Sequence, residues 1–348
     1  MDTILHIGTD AGVITLRSRD RRNWDVGERN LKRWETSELV VSAEAANKVF
    51  AATRGDGVWV SDDFGKTWSK PSRGKRGPGK VRSITIDPHD SRRLYAGCEP
   101  ADIFMSEDEG KNWVRFDSLW DIPSIATMPY PVPSVEPHVR DVAVDPADAD
   151  ILYASLQLGY IAKSQDRGRT WRLLDNNLDC DVHTINIDPG DPRRLIVATG
   201  GHDARLGRAP GRALYRTDDA GASWMPTGTD FTHEYSVPLV RDPHDPKRIY
   251  SALARDPQGR WKRRDSGAEA IIIRTDDGGE NWHRIGREID GRQFPEAIAV
   301  DPVNRGHVYA ACRNGDLFAS EDAGDTWRAV GVDWKINDLT SVVVTHAD

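Results

Sequence analysis

The sequence predicts an all-β protein, a seven-bladed β-propeller of four-stranded antiparallel blades. Its ring is expected to close by the C-terminal strand pairing with the N-terminal blade. Three observations carry this prediction. The pattern Ser/Thr-x-Asp-x-Gly-x-x-Trp occurs six times: Ser61–Trp68, Ser106–Trp113, Ser164–Trp171, Thr217–Trp224, Thr275–Trp282 and Ser320–Trp327. Successive tryptophans stand 45, 58, 53, 58 and 45 residues apart, which is the period of a repeat architecture. Each box is preceded by further strand-like runs, so that one period offers four short strands, the unit of a propeller blade.

The elements follow in order within each period. Strand A is a β-rich run ending at Asp-Pro, as in Ile84-Thr-Ile-Asp-Pro and Val142-Ala-Val-Asp-Pro. Proline cannot donate to a ladder, so it stops the strand. Strand B is an apolar run such as Leu94-Tyr-Ala-Gly or Leu152-Tyr-Ala-Ser. Strand C leads into the box and strand D starts at its tryptophan. The box reads as the C–D hairpin turn: its Asp accepts backbone N–H bonds and its Gly tolerates φ above zero. The tryptophan buries an apolar face between neighbouring sheets. Spread over separate blades, these carboxylates are expected to hold turns, not to catalyse.

The chain ends complete the count. Residues 3–28 supply strands B, C and D, with Ser18-Arg-Asp-Arg-Arg-Asn-Trp24 as a decayed seventh box, but no strand A. Residues 339–345 supply a strand A with no B after it. Pairing them closes the ring and removes exposed edges. At 348 residues one ring, residues 1–348, consumes the whole chain as a single domain.

The formal net charge is −8 and the mean hydropathy −0.60, which fit a soluble protein and speak against a nucleic-acid partner. No apolar run approaches membrane-spanning length, so no membrane partner is expected. Three cysteines, an odd number, argue against a disulfide framework, and none shows zinc-ligand spacing. Cys98 and Cys312 share one repeat position, while Cys180 sits in a D–A loop without an evident partner. Met1-Asp-Thr runs directly into the first strand, and a cytoplasmic location is expected.

Charge and loop length segregate together. The stretches 69–82, 117–140, 200–212 and 254–270 exceed the minimal repeat and hold 15 Lys/Arg against 7 Asp/Glu. In an up-and-down blade the D–A and B–C loops share one face, and all four insertions fall there. Long loops on a rigid scaffold usually carry binding. The Gly-rich run from Arg73 to Lys80 lacks the Gly-Lys-Ser/Thr ending of a phosphate loop.

The boxes resemble the Asp-box, or BNR, repeat over essentially the whole chain. That family includes sialidases, xyloglucan-degrading glycoside hydrolases, sortilin-type receptor domains and photosystem II assembly factors. The chain looks most like bacterial single-propeller proteins described as sialidase- or glycosyl-hydrolase-like. The resemblance implies the fold; it does not by itself assign a reaction. Xyloglucan-degrading relatives place a catalytic Asp in a Thr-Asp-x-Gly turn similar to that of Asp10, with a partner carboxylate from a second propeller. The Arg-Ile-Pro motif of sialidases is missing.

Candidate site residues come from the starts of the A strands, nearest the axis. Repeats that agree elsewhere differ there in charged and titratable side chains: Lys80 and Arg82, His138 and Arg140, Asp181 and His183, Phe294 and Glu296. Blade six offers His233, Glu234 and Tyr235. We expect His138, His183, His233 and Glu296 as acid–base groups or ligands of a divalent metal at the central channel. Arg82 and Arg140 are the expected anion binders, joined by Tyr235. The B–C turns add Asp10, Arg54, Glu99 and Arg313. Trp120 and Trp261, outside the box register, would stack on sugar rings or pin their loops. The expected function is a carbohydrate-active or related small-ligand enzyme, hydrolase- or lyase-like, for an anionic ligand. The alternative is a non-catalytic propeller that binds a ligand or protein.

Overall fold

The structure, a computed structural model, describes residues 1–73, 76–126 and 136–348. The remainder of the 117–140 insertion and the centre of the Gly-rich loop lie outside the described residues. Among the described residues six sheets have four strands and one has three, making seven blades. The three-stranded blade consists of Thr36–Val41, Val49–Thr53 and Gly57–Ser61; an isolated bridge from Val60 to Ser69 stands where its fourth strand would be. The last strand, Leu339–Ala347, pairs antiparallel with Asp2–Thr9, placing Ile7 opposite Val342, and so closes the ring.

The six intact boxes make one hydrogen-bond pattern. In the first, Ser61 Oγ donates to Asp63 Oδ1 (2.8 Å) and accepts the Gly65 N–H (2.8 Å). Asp63 then accepts the Thr67 N–H at 2.8 Å and the Thr67 hydroxyl at 2.6 Å. The decayed copy keeps the core of this: Asp20 accepts the N–H of Asn23 and its side-chain amide, at 2.8 and 2.7 Å. The residue before each Gly is also left-handed, with φ of 60° at Phe64 and 59° at Glu109. Two adjacent positive φ values make the turn tight, and the Gly takes the second at no steric cost.

The Asp of Asp-Pro does more than precede a strand-stopping proline. Asp87 accepts the His89 N–H at 2.8 Å, and Asp145 accepts that of Ala147 at 2.8 Å. These Asx turns join strands A and B. Packing lies between blades: Tyr250 and Ile272 of one meet Ile298, Val308 and Trp327 of the next. Trp224, Trp282 and Trp327 are buried, while the other box tryptophans are partly covered.

One irregularity recurs at the channel. Five of the inner strands carry a β-bulge, between Thr36 and Glu38, Val81 and Ser83, Val139 and Asp141, Val182 and Thr184, and Pro295 and Ala297, and the inner strands of the other two blades shift register at the same level, at Thr340 and between Ser236 and Leu239. The residues inserted at the five bulges are Ser37, Arg82, Arg140, His183 and Glu296. A bulge bends its strand and re-aims a side chain. Four of the five are the repeat-divergent positions singled out by the sequence.

Candidate functional site

The bulged ends of the inner strands surround a cavity of about 910 Å³ at the mouth of the channel. It opens on the face that carries the long loops. Asp10, Arg54, Arg82, His138, Arg140, His183, Tyr235, Glu296 and Arg313 line it; Glu99, His233, Trp120 and Trp261 do not.

Arg54 and Arg82, like Arg313 further round the ring, are committed to carboxylates. The Arg54 guanidinium bonds both oxygens of Glu35, at 2.8 and 3.0 Å. Arg82 holds the buried Glu99 through Nε at 2.8 Å and through a second, shorter bond. Lys80 and Arg54 approach the same carboxylate, at 3.5 and 3.6 Å. Burial works to raise the Glu99 carboxyl, but Arg82, Arg54 and Lys80 outweigh it and hold it below the usual range. Burial and the neighbouring Arg54 and Arg140 bring Arg82 down to about 10. Glu99 thus serves the site from beneath, as a counter-charge that positions Arg82.

Arg140 differs from all three. It is partly exposed, lines the cavity, and makes no ion pair or hydrogen bond among the described residues. Its charge is felt by Glu38, Asp141, Asp181 and Glu296, from blades two, four, five and seven. The guanidinium therefore stands near the axis.

The adjoining wall is tied down by hydrogen bonds. His183 is buried, its Nδ1 2.6 Å from the Ser236 carbonyl and its Nε2 3.3 Å from Asp181. Its ring meets Tyr235 edge-on at 5.1 Å. Burial tends to raise Asp181, but His183, Arg140 and Arg205 pull it below the usual carboxylate range. Gly200 is required beside this pair, since a Cβ there would lie 1.9 Å from an Asp181 oxygen.

The three predicted histidines are not brought together. Nδ1 of His138 donates to the Glu136 carbonyl at 2.9 Å, and burial beside Arg82 and Arg140 drives its pKa far below the ordinary value. His233 lies outside the cavity lining, with Nε2 on the Glu269 carbonyl at 2.9 Å. A metal site shared by these histidines does not form among the described residues; the cluster with suitable geometry is Cys180, His202 and Asp203. Cys180 thus has neighbours that its sequence context did not suggest. Trp261 is buried against Tyr235 (5.3 Å) and Phe294 (5.0 Å), so it pins its loop instead of presenting a face to a sugar. Trp120 is 39% exposed and donates to Asp102 at 2.8 Å, away from the cavity.

Sequence reasoning missed Glu38 and Asp141. Glu38 lines the cavity; its Oε2 accepts the Ile84 N–H at 2.7 Å, and Asp141 Oδ2 accepts that of Ile185 at 2.8 Å. Each reaches from one inner strand to the next. Burial, with Asp141 nearby, raises Glu38 from 4.5 to about 8, and burial raises Asp141 from 3.8 to about 6. Strict alternation would hide both beside Ser37 and Arg140; the bulge exposes two successive side chains. The signal available was an acidic residue four positions before the A–B turn, where other blades have Ser83, Thr184 and Ala297.

Comparison with known proteins agrees with this architecture. Residues 58–70 match the BNR-Asp box repeat. A xyloglucanase from Paenibacillus sp is 33% identical over 128 residues, 33% of this chain and 12% of that protein. A probable oligoxyloglucan-reducing end-specific xyloglucanase from Neosartorya fischeri is 24% identical over 241 residues, 60% of this chain and 29% of that protein. The chain therefore matches less than a third of the length of either relative. Among solved structures, a Niastella koreensis GH74 enzyme superposes with TM-score 0.61 at 16% identity, covering 84% of this chain and 45% of that one. YCF48 from Cyanidioschyzon merolae superposes with TM-score 0.57 at 15% identity, covering 87% of each chain. At these identities the superpositions establish the fold alone.

Proposed function

This chain is an Asp-box (BNR) repeat β-propeller, and on that scaffold we propose a glycoside-cleaving enzyme acting on an anionic saccharide at the channel mouth. The observation that carries the reading is Arg140, a cavity guanidinium without an ion-pair partner among the described residues, beside the Glu38 carboxyl group. Arginine suits a ligand carboxylate or phosphate because its planar fork can bond two oxygens at once. The xyloglucanase relatives favour a saccharide; the uncommitted Arg140 favours a charged one.

Glycoside cleavage needs one carboxylic acid to protonate the leaving oxygen and one carboxylate on the other side of the sugar. Glu38, raised to about 8, keeps its proton at neutral pH and takes the first role. Glu296 takes the second: burial would raise it, but Arg313 holds it ionised. His138 and His183, each held to a backbone carbonyl, shape the wall. Asp10 at the rim, exposed and lining the same cavity, contacts the sugar.

The test is turnover on a panel of neutral and uronate-bearing oligosaccharides, xyloglucan fragments included. We expect cleavage of the acidic members and a loss of at least about tenfold in kcat/KM for Arg140→Ala. Cleavage of neutral substrates unaffected by Arg140→Ala would overturn the anionic reading. Tight binding without turnover would establish instead a non-catalytic binding propeller.

A further inference from the structure

Two loops that the sequence leaves unrelated converge beside the cavity. Cys180 precedes the inner strand Val182–Ile187; His202 and Asp203 open the short helix His202–Arg205 within the 200–212 insertion. One ligand atom from each of the three lies within 4.8 Å of the others.

The convergence is built, not incidental. The fully buried Asp179 accepts the N–H groups of His202 (3.0 Å) and Ala204 (2.9 Å) from one loop, and of Asp181 (3.0 Å) from its own. It thereby clips the two segments together. Gly201 makes the bend with φ of 64°, where a Cβ would fall 2.2 Å from the Glu234 carbonyl oxygen. Tyr160 donates to Asp203 Oδ2 at 3.1 Å and so orients that carboxylate. Outer partners of this kind fix ligands in metal sites. The His202 ring makes no hydrogen bond or ion pair among the described residues, while the Cys180 thiol lies within 4.8 Å of the Asp203 carboxylate.

We infer that Cys180, His202 and Asp203 form a binding site for a zinc-like divalent cation. Sulfur, imidazole nitrogen and carboxylate oxygen together are a zinc donor set, and three protein ligands leave one position open. Bond lengths of about 2.0–2.3 Å put tetrahedral ligands roughly 3.3–3.8 Å apart, a contraction within reach of side-chain rotation. The cation displaces the thiol proton, which leaves to solvent. His202 also lines the cavity, so the open position belongs to the channel mouth. This inference does not depend on the reaction proposed above.

The experiment uses the full chain, stripped with a chelator and titrated with Co²⁺, then competed with Zn²⁺. We expect one Co²⁺ per chain, thiolate-to-cobalt charge-transfer absorption in the near ultraviolet, and its loss on adding Zn²⁺. Cys180→Ser should abolish the band, and His202→Ala should weaken binding by at least about tenfold. Because the His202 ring makes no hydrogen bond or ion pair among the described residues, His202→Ala decides the matter even if Cys180→Ser fails to fold. Absence of saturable binding, or binding by His202→Ala equal to that of the unaltered chain, would overturn the site.

Discussion

Arg313 grips Glu296 with two parallel bonds of 2.6 Å, from Nε and from a terminal nitrogen, at the edge of the cavity. The carboxylate side chain is 7% exposed and the guanidinium 23%. Removing one partner leaves the other buried and uncompensated, so Arg313→Ala should destabilise the fold by about 3–5 kcal/mol. Replacing both by apolar residues of similar volume should cost less than either single change. Urea unfolding of the three variants checks this, and a double variant weaker than both singles would contradict it.

The two faces should separate by mutation. Asp108 accepts the Asn112 N–H at 2.8 Å and the Ser106 hydroxyl at 2.9 Å within its box. Asp108→Ala should lower stability by about 1–2 kcal/mol and leave ligand affinity unchanged. Arg140→Ala should shift stability by no more than about 0.5 kcal/mol while weakening binding. The reverse result would put the working face at the wrong end.

His183 should not behave like Arg140. It is a repeat-divergent residue, but its ring is buried and fixed by the Ser236 carbonyl, Asp181 and Tyr235. His183→Ala should therefore lower Tm clearly, with any loss of activity following from the disturbed wall. Unchanged Tm would show that these contacts contribute little.

Acid should attack the scaffold first. Box carboxylates such as Asp277 are held down, here to about 2, by hydrogen bonds from Asn281, Thr275 and Glu280 that overcome burial. Their folded values lie below the unfolded value of about 3.9. The stability they contribute is complete above that value and is lost as pH falls through the folded one. Stability of the unaltered chain should fall steeply between about pH 4 and pH 2, and more gently in Asp277→Asn. Calorimetry across this range makes the comparison.

Glu38 should show the opposite sign. Its folded value, about 8, exceeds its ordinary 4.5, through burial and the nearby Asp141, against the Ile84 N–H and Arg140. The unfolded chain therefore releases the proton first, and stability drains as pH rises from about 4.5 to about 8. Glu38→Gln keeps an acceptor for the Ile84 N–H and removes the titration. Its Tm should exceed that of the unaltered chain by at least about 2–4 °C at pH 8–9 and converge with it near pH 4. Parallel Tm profiles for the two proteins would contradict the raised value.

The sequence by itself determined the repeat, the number of blades, the ring closure and the face on which the loops are long. These follow from local chemistry copied along the chain: the box needs its Ser/Thr, Asp and Gly in fixed order, and the Asp-Pro turn needs its Asp. The inner-strand starts were legible too, because positions such as Arg82, Arg140 and Glu296 vary where the scaffold does not. Only the tertiary structure decided what those side chains meet. Glu99 absorbs Arg82, Glu296 absorbs Arg313, and Arg140 is left without an ion pair among the described residues; no spacing in the chain encodes which charges pair. Nor could strict alternation reveal Glu38 and Asp141, since a bulge turns two successive residues toward one channel. Cys180 gained His202 and Asp203 for the same reason: Asp179 ties together two loops that lie apart in sequence and adjacent around the ring.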